Sequence, residues 1–250
     1  MTSRNRDASF AQSIYAALRQ QPWLYDRGHD SMYRPYRHVA HVALRCASRV
    51  ARLRQRLRGH SIPAGARLHL GSGRVPLTGW VNVDLNPFSS AQLWLDLRDR
   101  WPVRSDSISA IYSRHCFEHF SEHDLIDIIR QCARVLQPGG VIRIGVPSLE
   151  LAVRQYLKRD FSFADWVKQG EPAAKQFVAY ITDKGNHPIM LDFEYLDRLL
   201  SDAGFTEIRQ RSGGDTAVLA PSLLAPKDQS DDWATLYVEA TKPADATRAA

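Results

Sequence analysis

The sequence predicts a doubly wound α/β domain, built on a mostly parallel sheet of seven strands and preceded by a helical arm. After Gly65, short apolar runs alternate with turns and amphipathic helices, which is the rhythm of an α/β sheet. The length of 250 residues suits one such domain with an appendage. Arginines are concentrated before the first apolar run. We therefore divide the chain into a basic helical arm (1–62), a folded domain (63–242) and a disordered tail (243–250).

The seven candidate strands are apolar runs bounded by turn residues. They are Arg67–Leu70, Trp80–Asp84, Leu93–Leu95, Ala110–Ser113, Val141–Val146, Thr206–Gln210 and Thr235–Ala240. A helix between the fourth and fifth runs begins with a capping signal, Ser121 with Asp124, and we expect it to end at Pro138-Gly139-Gly140. Another amphipathic helix ends at Gly204.

The arm carries the positive charge of the protein. Residues 1–60 contain twelve arginines and three aspartates, an excess of nine, so the rest of the chain contributes −3 to the net charge of +6. Apolar residues between Tyr36 and Leu57 recur at helical spacing and are flanked by arginines. Two interpretations remain open: the apolar stripe packs on the domain, or the helix lies at a lipid interface.

No apolar run approaches the length of a membrane span, and the first residues lack the apolar core of a signal peptide. We therefore expect a cytoplasmic protein. In the second interpretation of the arm, the arm would contact the inner face of the membrane. Three widely spaced cysteines predict reduced thiols and no cysteine-based zinc site.

A glycine turn and two aspartates carry the first functional signal. The first strand leads into Gly71-Ser72-Gly73, where missing side chains let the backbone approach a ligand. Asp84 ends the next strand, where a carboxylate can accept both hydroxyls of a ribose. Asp96 ends the third strand, where a carboxylate can accept the exocyclic amine of an adenine.

The successive motifs LHLGSG, GWVNVDL, WLDL, SISAIYSRHCFEHF, ARVLQPGGVIRIGVPSLE and HPIMLDFEYLDRLLSDAGF resemble those of class I S-adenosylmethionine-dependent methyltransferases, in the same order. More narrowly, the chain is similar to the type 11 methyltransferase family. The resemblance implies a Rossmann-like fold and S-adenosylmethionine as cofactor. The cofactor-binding residues that it implies are Gly71, Ser72, Gly73, Asp84, Asp96, Leu97 and Ser113.

By the same resemblance, the glycine turn would face the methionine part of the cofactor, Asp84 the ribose, and Asp96 with the Leu97 amide the adenine. Ser113 and His115 would border the sulfonium and the entering acceptor.

The chain departs from the family pattern at two places. His69 stands where an acidic residue usually lies two positions before the first glycine. Only residues 74–80 separate Gly73 from the second strand, which is too short for a normal crossover helix. We expect that helix to be lost, leaving part of one sheet face uncovered for the apolar stripe of the arm.

His115-Cys116-Phe117-Glu118-His119 also matches the H-x-x-E-H pattern of some zinc peptidases. The match falls where a strand gives way to a loop, and Ser121 begins a new helix. Since that mechanism needs both histidines on one continuous helix, we predict no metal site.

The acceptor is less constrained than the cofactor. Signatures of amino-methylating nucleic-acid enzymes and of cytosine C5 enzymes are missing after the fourth strand, so oxygen on a glycan or small metabolite is the leading hypothesis. His115 and His187 are the candidate general bases, with His119 a further histidine in the same region. Two alternatives to this hypothesis stay open. One is an RNA methyltransferase that uses the arginine-rich arm, although a nucleic-acid acceptor is less favoured than a glycan or small metabolite. The other is a non-catalytic cofactor-binding module.

Overall fold

The computed structural model describes residues 42, 43, 45, 46, 49, 50, 62–86, 89–164, 167–216 and 234–244. These residues form a seven-stranded sheet with the order β3-β2-β1-β4-β5-β7-β6. The strands are β1 (Ala66–Leu70), β2 (Val81–Asp84), β3 (Leu93–Trp94), β4 (Ile108–Arg114), β5 (Leu136–Pro147), β6 (Thr206–Arg211) and β7 (Thr235–Thr241). Among these strands, β7 runs antiparallel to both of its neighbours, β5 and β6, and all other pairs are parallel. The predicted mostly parallel sheet is confirmed, and each predicted strand overlaps an observed one.

Four α-helices follow β4 in the described part of the chain. They are α1 (Glu122–Val135), α2 (Leu149–Lys158), α3 (Ala173–Thr182) and α4 (Phe193–Asp202). Short 3-10 turns cover Phe117–His119 and Asp183–Gly185.

The predicted start of α1 is confirmed and its predicted end is wrong. The Ser121 hydroxyl accepts a hydrogen bond from the Asp124 amide at 3.2 Å, as a helix cap does. The helix already ends at Val135, because Leu136 adopts extended backbone angles and pairs with Ile108 of β4. Residues 138–140 therefore lie in the first part of β5.

A hydrophobic core fills the space between one face of the sheet and helices α1 and α4. Because side chains alternate along a strand, the apolar residues of β1, β4 and β5 share that face. The buried residues of this core include Leu68, Leu70, Ile111, Ile142, Ile144, Leu125, Ile128, Ile129, Leu196 and Leu200. This packing fixes the carboxyl ends of the central strands relative to α1.

The opposite face of the sheet buries an ion pair between β5 and β7. Arg143 Nη1 lies 2.8 Å from Glu239 Oε1, and both side chains are shielded from solvent. The guanidinium also donates to backbone carbonyls within residues 212–215 and lies over the Tyr237 ring. Buried charges are tolerated when they are paired and hydrogen-bonded in this way. The pair holds β7 against β5, which brings Thr235 to the end of β4.

The expected loss of the first crossover helix is confirmed. Residues 71–80 contain turns and no helix. Leu77 and Trp80 from this short connection pack on Ala110, Tyr112 and Val141, and so cover part of the sheet face that a helix would otherwise occupy.

The buried side chain of Asn82 holds the short connection in place. Its Oδ1 accepts from the Leu77 amide at 2.8 Å, and its Nδ2 donates to the Leu77 and Trp80 carbonyls at 3.1 and 3.3 Å. One amide group thus satisfies backbone groups that a helix would have satisfied internally.

His69 joins the same network. Its Nδ1 lies 2.9 Å from Asn82 Oδ1, which can only accept, so Nδ1 carries the proton. Burial lowers the pKa of His69, so the ring is neutral near pH 7. The residue that replaces the expected acidic anchor therefore supports the glycine turn through Asn82.

The six described arm residues are helical: Val42, Ala43, Arg45, Cys46, Arg49 and Val50. Their apolar members face solvent, with Val42 47% and Val50 48% exposed. The interpretation in which the apolar stripe packs on the domain is therefore wrong for these residues. The rest of the predicted arm helix and residues 245–250 of the predicted tail lie outside the described residues.

The arginines of the arm contact the domain instead. Arg45 Nε lies 2.9 Å from Asp96 Oδ2, and Arg49 Nη2 lies 2.7 Å from Asp99 Oδ1. Attraction between opposite charges thus decides which side of this helical segment meets the domain. None of the helices among the described residues has the length and apolar character needed to cross a bilayer.

We expect Asn82→Ala to lower the free energy of unfolding by about 2–4 kcal/mol, because several buried backbone groups lose their only side-chain partner. Urea denaturation monitored by circular dichroism measures this change. Ser90→Ala, which removes an exposed hydroxyl between β2 and β3, is the control and should change stability by less than about 0.5 kcal/mol. Equal urea midpoints for the wild type and Asn82→Ala would contradict this role for Asn82.

Candidate functional site

The strand order reverses between β1 and β4, because β2 and β3 lie on one side of β1 and the later strands on the other. Doubly wound sheets bind ligands at the carboxyl ends of the strands beside such a reversal. The Gly71 turn follows β1, and His115 follows β4. The two segments touch, since a Cβ on Gly71 would lie 2.5 Å from Cys116 Sγ. The structure therefore brings these two predicted parts of the site together.

The glycine turn is tied directly to Asp84. Gly71 and Gly73 have positive φ angles of 66° and 52°, a region that side chains disfavour. The Gly73 amide donates to Asp84 Oδ2 at 2.7 Å, and the Asn86 amide donates to Asp84 Oδ1 at 2.6 Å. Each carboxylate oxygen keeps a further lone pair for another donor.

Two serine hydroxyls lie buried beside this turn. Ser72 is 4% exposed and Ser113 is 1% exposed, and neither Oγ has a nitrogen or oxygen partner. A buried hydroxyl without such a partner is costly, which suits a place where a polar ligand completes the hydrogen bonds. With the open backbone at Gly73, where an added Cβ would meet nothing within 4 Å, these groups fit a cofactor bound along the turn.

Asp96 is buried and already bonded to two arginines. Arg98 donates to both of its oxygens at 2.9 and 2.8 Å, and Arg45 of the arm also lies at 2.9 Å. Burial opposes ionisation, but the Arg98 hydrogen bonds and the two positive charges outweigh it and lower the pKa of the Asp96 carboxyl. Leu97 is buried next to it, and its carbonyl accepts from Trp101 Nε1. An adenine amine at Asp96 would share an oxygen with a guanidinium.

His115 occupies a left-handed backbone conformation at the end of β4, with φ of 50°. Its amide donates to the Gly145 carbonyl at 2.8 Å. Its ring lies between Glu118 and Thr235, with Nδ1 3.1 Å from Glu118 Oε1 and Nε2 3.2 Å from Thr235 Oγ1. The ring is thus held from both sides while 36% of the side chain remains exposed.

Three side chains converge next to His115. Glu118, His119 and His187 each place one potential metal-ligand atom within 4.8 Å of the others. The rings of His119 and His187 meet edge to face, with centroids 4.7 Å apart. Glu118 comes from the 3-10 turn after β4, whereas His187 comes from the loop before α4. Glu118 was not among the predicted site residues, although it lies within the H-x-x-E-H pattern.

The expectation that H-x-x-E-H does not form a zinc-peptidase helix is confirmed. A 3-10 turn covers residues 117–119 and α1 starts only at Glu122, so His115 and His119 do not lie on one continuous α-helix. His119 meets His187 instead, a partner 68 positions further along the chain. Contact between distant segments therefore brings together two histidines and one glutamate, the residue types that the H-x-x-E-H pattern contains.

The protonation of the neighbouring groups is set largely by burial. Burial lowers the pKa of His187, so its imidazole is neutral near pH 7. Burial also raises the pKa of the Cys116 thiol well above its usual range, which leaves the thiol protonated and a poor nucleophile.

The aromatic residues between β5 and α4 pack mainly on one another. Phe161, Phe163, Phe177 and Tyr180 form a small core with ring centroids 5.3–6.5 Å apart. Burial raises the pKa of Tyr180 to about 12. These rings therefore stabilise the segment between β5 and α4 by packing against one another.

Comparison with known proteins identifies the family. A family model described as a methyltransferase domain matches residues 28–210. Because the match covers most of the chain, the protein belongs to this family of methyltransferase domains. It is an enzyme of the S-adenosylmethionine-dependent class that the sequence motifs resemble, and S-adenosylmethionine is its methyl donor.

The solved structures similar to this chain are distant in sequence. A SAM-dependent methyltransferase from Archaeoglobus fulgidus is 14% identical, with 78% of this chain and 94% of that chain covered and a TM-score of 0.45. Phosphoethanolamine N-methyltransferase 2 from Haemonchus contortus is 16% identical, with 76% and 52% covered and a TM-score of 0.45. A possible histamine N-methyltransferase from Thermotoga maritima is 17% identical, with 72% and 84% covered and a TM-score of 0.43. None of the curated protein sequences matches the chain.

Proposed function

We propose that the protein transfers the methyl group of S-adenosylmethionine to an oxygen of a glycan or small-molecule acceptor, with His115 as the proton acceptor. The orientation of the His115 ring is the observation that carries this proposal. A carboxylate only accepts hydrogen bonds, so contact with Glu118 places the ring proton on Nδ1. The lone pair then lies on Nε2, where it accepts from the Thr235 hydroxyl. An acceptor hydroxyl that donated to His115 Nε2 in place of the Thr235 hydroxyl would meet a correctly oriented base.

The proposed cofactor site lies along the glycine turn. Gly71, Ser72 and Gly73 would hold the methionine part, with Ser113 beside it. Asp84 would accept the ribose hydroxyls. The buried serine hydroxyls, which have no nitrogen or oxygen partner, and the Asp84 carboxylate at the end of β2 support this arrangement.

The adenine would lie toward Asp96 and Leu97, at the end of β3. Arg45 of the arm contacts Asp96, so the arm would border this end of the cofactor.

The bound cofactor supplies an electrophilic methyl group on a positively charged sulfur. The acceptor oxygen must lie in line with the methyl carbon and the sulfur, so positioning provides much of the acceleration. As the new carbon–oxygen bond forms, the carbon–sulfur bond breaks and its electron pair stays on sulfur. The hydroxyl proton passes to His115 Nε2. His187 was the second candidate base, but it groups with Glu118 and His119 and lacks the Thr235 contact, so we assign the proton to His115.

We expect Asp84→Ala to weaken S-adenosylmethionine binding by about 1–3 kcal/mol, because ribose hydroxyls would lose their acceptor. Isothermal titration calorimetry measures the affinity. Asp127→Ala, an exposed aspartate on α1, is the matched control and should bind like the wild type. A folded Asp84→Ala variant with unchanged affinity would rule out the ribose assignment.

We expect His115→Asn to keep its cofactor affinity and to lower turnover by at least about a hundredfold, the lower range for general-base catalysis. Asparagine is chosen because it tolerates the left-handed backbone at this position. Transfer of radiolabelled methyl groups to polysaccharide, small-metabolite and RNA fractions identifies the acceptor and measures the rate. His123→Asn, which changes an exposed histidine on α1, is the control.

Each outcome of this screen separates the alternatives. Label in an alkali-stable methyl ether of a glycan or metabolite supports the proposal. Label confined to RNA would favour the RNA methyltransferase. Cofactor binding without transfer to any fraction would favour the binding module. Wild-type turnover in His115→Asn would reduce His115 to a structural role.

We also propose that the arm contacts an anionic membrane surface. The arm combines an excess of nine positive charges with valines at positions 42 and 50 that are exposed to solvent. We expect the protein to float with phosphatidylserine-containing vesicles and Val42→Asp/Val50→Asp to lose most of this binding. Val178→Asp, which changes an exposed valine of α3, is the control. Flotation that is equal for all three proteins would contradict the proposed role of the arm valines.

A further inference from the structure

We propose that Glu118, His119 and His187 bind one divalent transition-metal ion, with Zn²⁺ the best match to the donor set. The three potential ligand atoms lie within 4.8 Å of one another. Ligand atoms bound tetrahedrally at 2.0–2.2 Å lie about 3.4 Å apart. His119 is exposed, so a modest side-chain rotation can close the remaining distance.

Each of the two histidines uses Nδ1 in a hydrogen bond to a backbone carbonyl. His119 Nδ1 lies 3.2 Å from the Asn186 carbonyl, and His187 Nδ1 lies 3.1 Å from the Ile181 carbonyl. Because a carbonyl oxygen can only accept, each Nδ1 carries the proton and each Nε2 is left with its lone pair. Metal-binding histidines commonly donate their other ring N–H to a backbone carbonyl in this way.

The Glu118 carboxylate supplies an independent indication of a ligand. Its Oε1 contacts His115, but its Oε2 is buried and has no hydrogen-bond partner, and the residue is only 2% exposed. A buried carboxylate oxygen without a partner is strongly unfavourable. A cation held between Glu118 and the two imidazoles would satisfy it.

The donor set also indicates which ions would bind. Two imidazoles and one carboxylate suit Zn²⁺, Co²⁺ and Fe²⁺ better than Mg²⁺ or Ca²⁺, which prefer oxygen ligands. Three protein ligands leave a tetrahedral ion with one open position, as in catalytic zinc sites.

The position of the site gives the ion a role that rests on the proposed function. Glu118 joins the ion site to His115, which lies beside the Gly71 turn. The open coordination position would therefore lie on the acceptor side, where it can bind a hydroxyl oxygen and orient it.

Metal binding is tested on the full, untagged chain after chelator treatment and dialysis, without cofactor or acceptor. Calorimetric titration with Zn²⁺ should show one ion per chain, and titration with Co²⁺ should give the visible absorption of a four-coordinate site. We expect His119→Ala and His187→Gln each to weaken binding at least about tenfold, the lower loss seen even when only a supporting partner of a ligand is removed. His123→Ala should bind like the wild type, and thermal unfolding confirms that each variant is folded.

Several results would overturn the site. One is an absence of Zn²⁺ binding in the wild type, and another is unchanged affinity in both ligand variants. A third is an equal loss of affinity in His123→Ala, which would indicate that exposed histidines bind the ion. Because this titration needs no methyl transfer, its failure is distinct from failure of the proposed function. The role in orienting the acceptor predicts faster methyl transfer by the ion-loaded chain than by the ion-free chain at equal cofactor affinity. Equal rates would overturn that role and leave only the binding site.

Discussion

The short connection between β1 and β2 depends on the buried amide of Asn82. A parallel crossover usually includes a helix that satisfies its own backbone, and residues 71–80 are too few to form one. Asn82 replaces that helix by bonding to Leu77 and Trp80 from one side and to His69 from the other. The position of the glycine turn, and with it the cofactor end of the site, follows from this network. The Gly-Trp-x-Asn-x-Asp run therefore has a structural role, beside the cofactor-binding role that we propose for its aspartate.

A second buried polar group, Glu118, organises the acceptor end. Its Oε1 contacts Nδ1 of the His115 ring, and its carboxylate groups with the rings of His119 and His187. These groups come from the end of β4, a 3-10 turn and a loop that precedes α4. A buried carboxylate is stabilised by several polar partners, and the partners of Glu118 come from these separate segments. A buried polar side chain thus lies at each end of the site, Asn82 at one and Glu118 at the other.

Ion pairs connect the arm to the segment that follows β3. Arg45 and Arg49 meet Asp96 and Asp99, so the part of the arm that contacts the domain is its charged side. Asp96 also belongs to the proposed adenine end of the cofactor site. An adenine bound at Asp96, as proposed, would share this carboxylate with the arm, and binding of the two would then be coupled in energy. The apolar residues of this segment remain available for another surface.

The sequence by itself determined the sheet, the missing crossover helix and the methyltransferase family, because strand periodicity, turn residues and motif order are local properties. It also placed the glycine turn and Asp84 at neighbouring strand ends, and the Gly73 amide indeed donates to Asp84 Oδ2 at 2.7 Å. Only the tertiary structure decided which side of the arm meets the domain, since a periodic pattern shows both an apolar and a charged face. It alone brought His187 to Glu118 and His119, because contact between residues 68 positions apart depends on how the loop before α4 packs and leaves no local periodic signal.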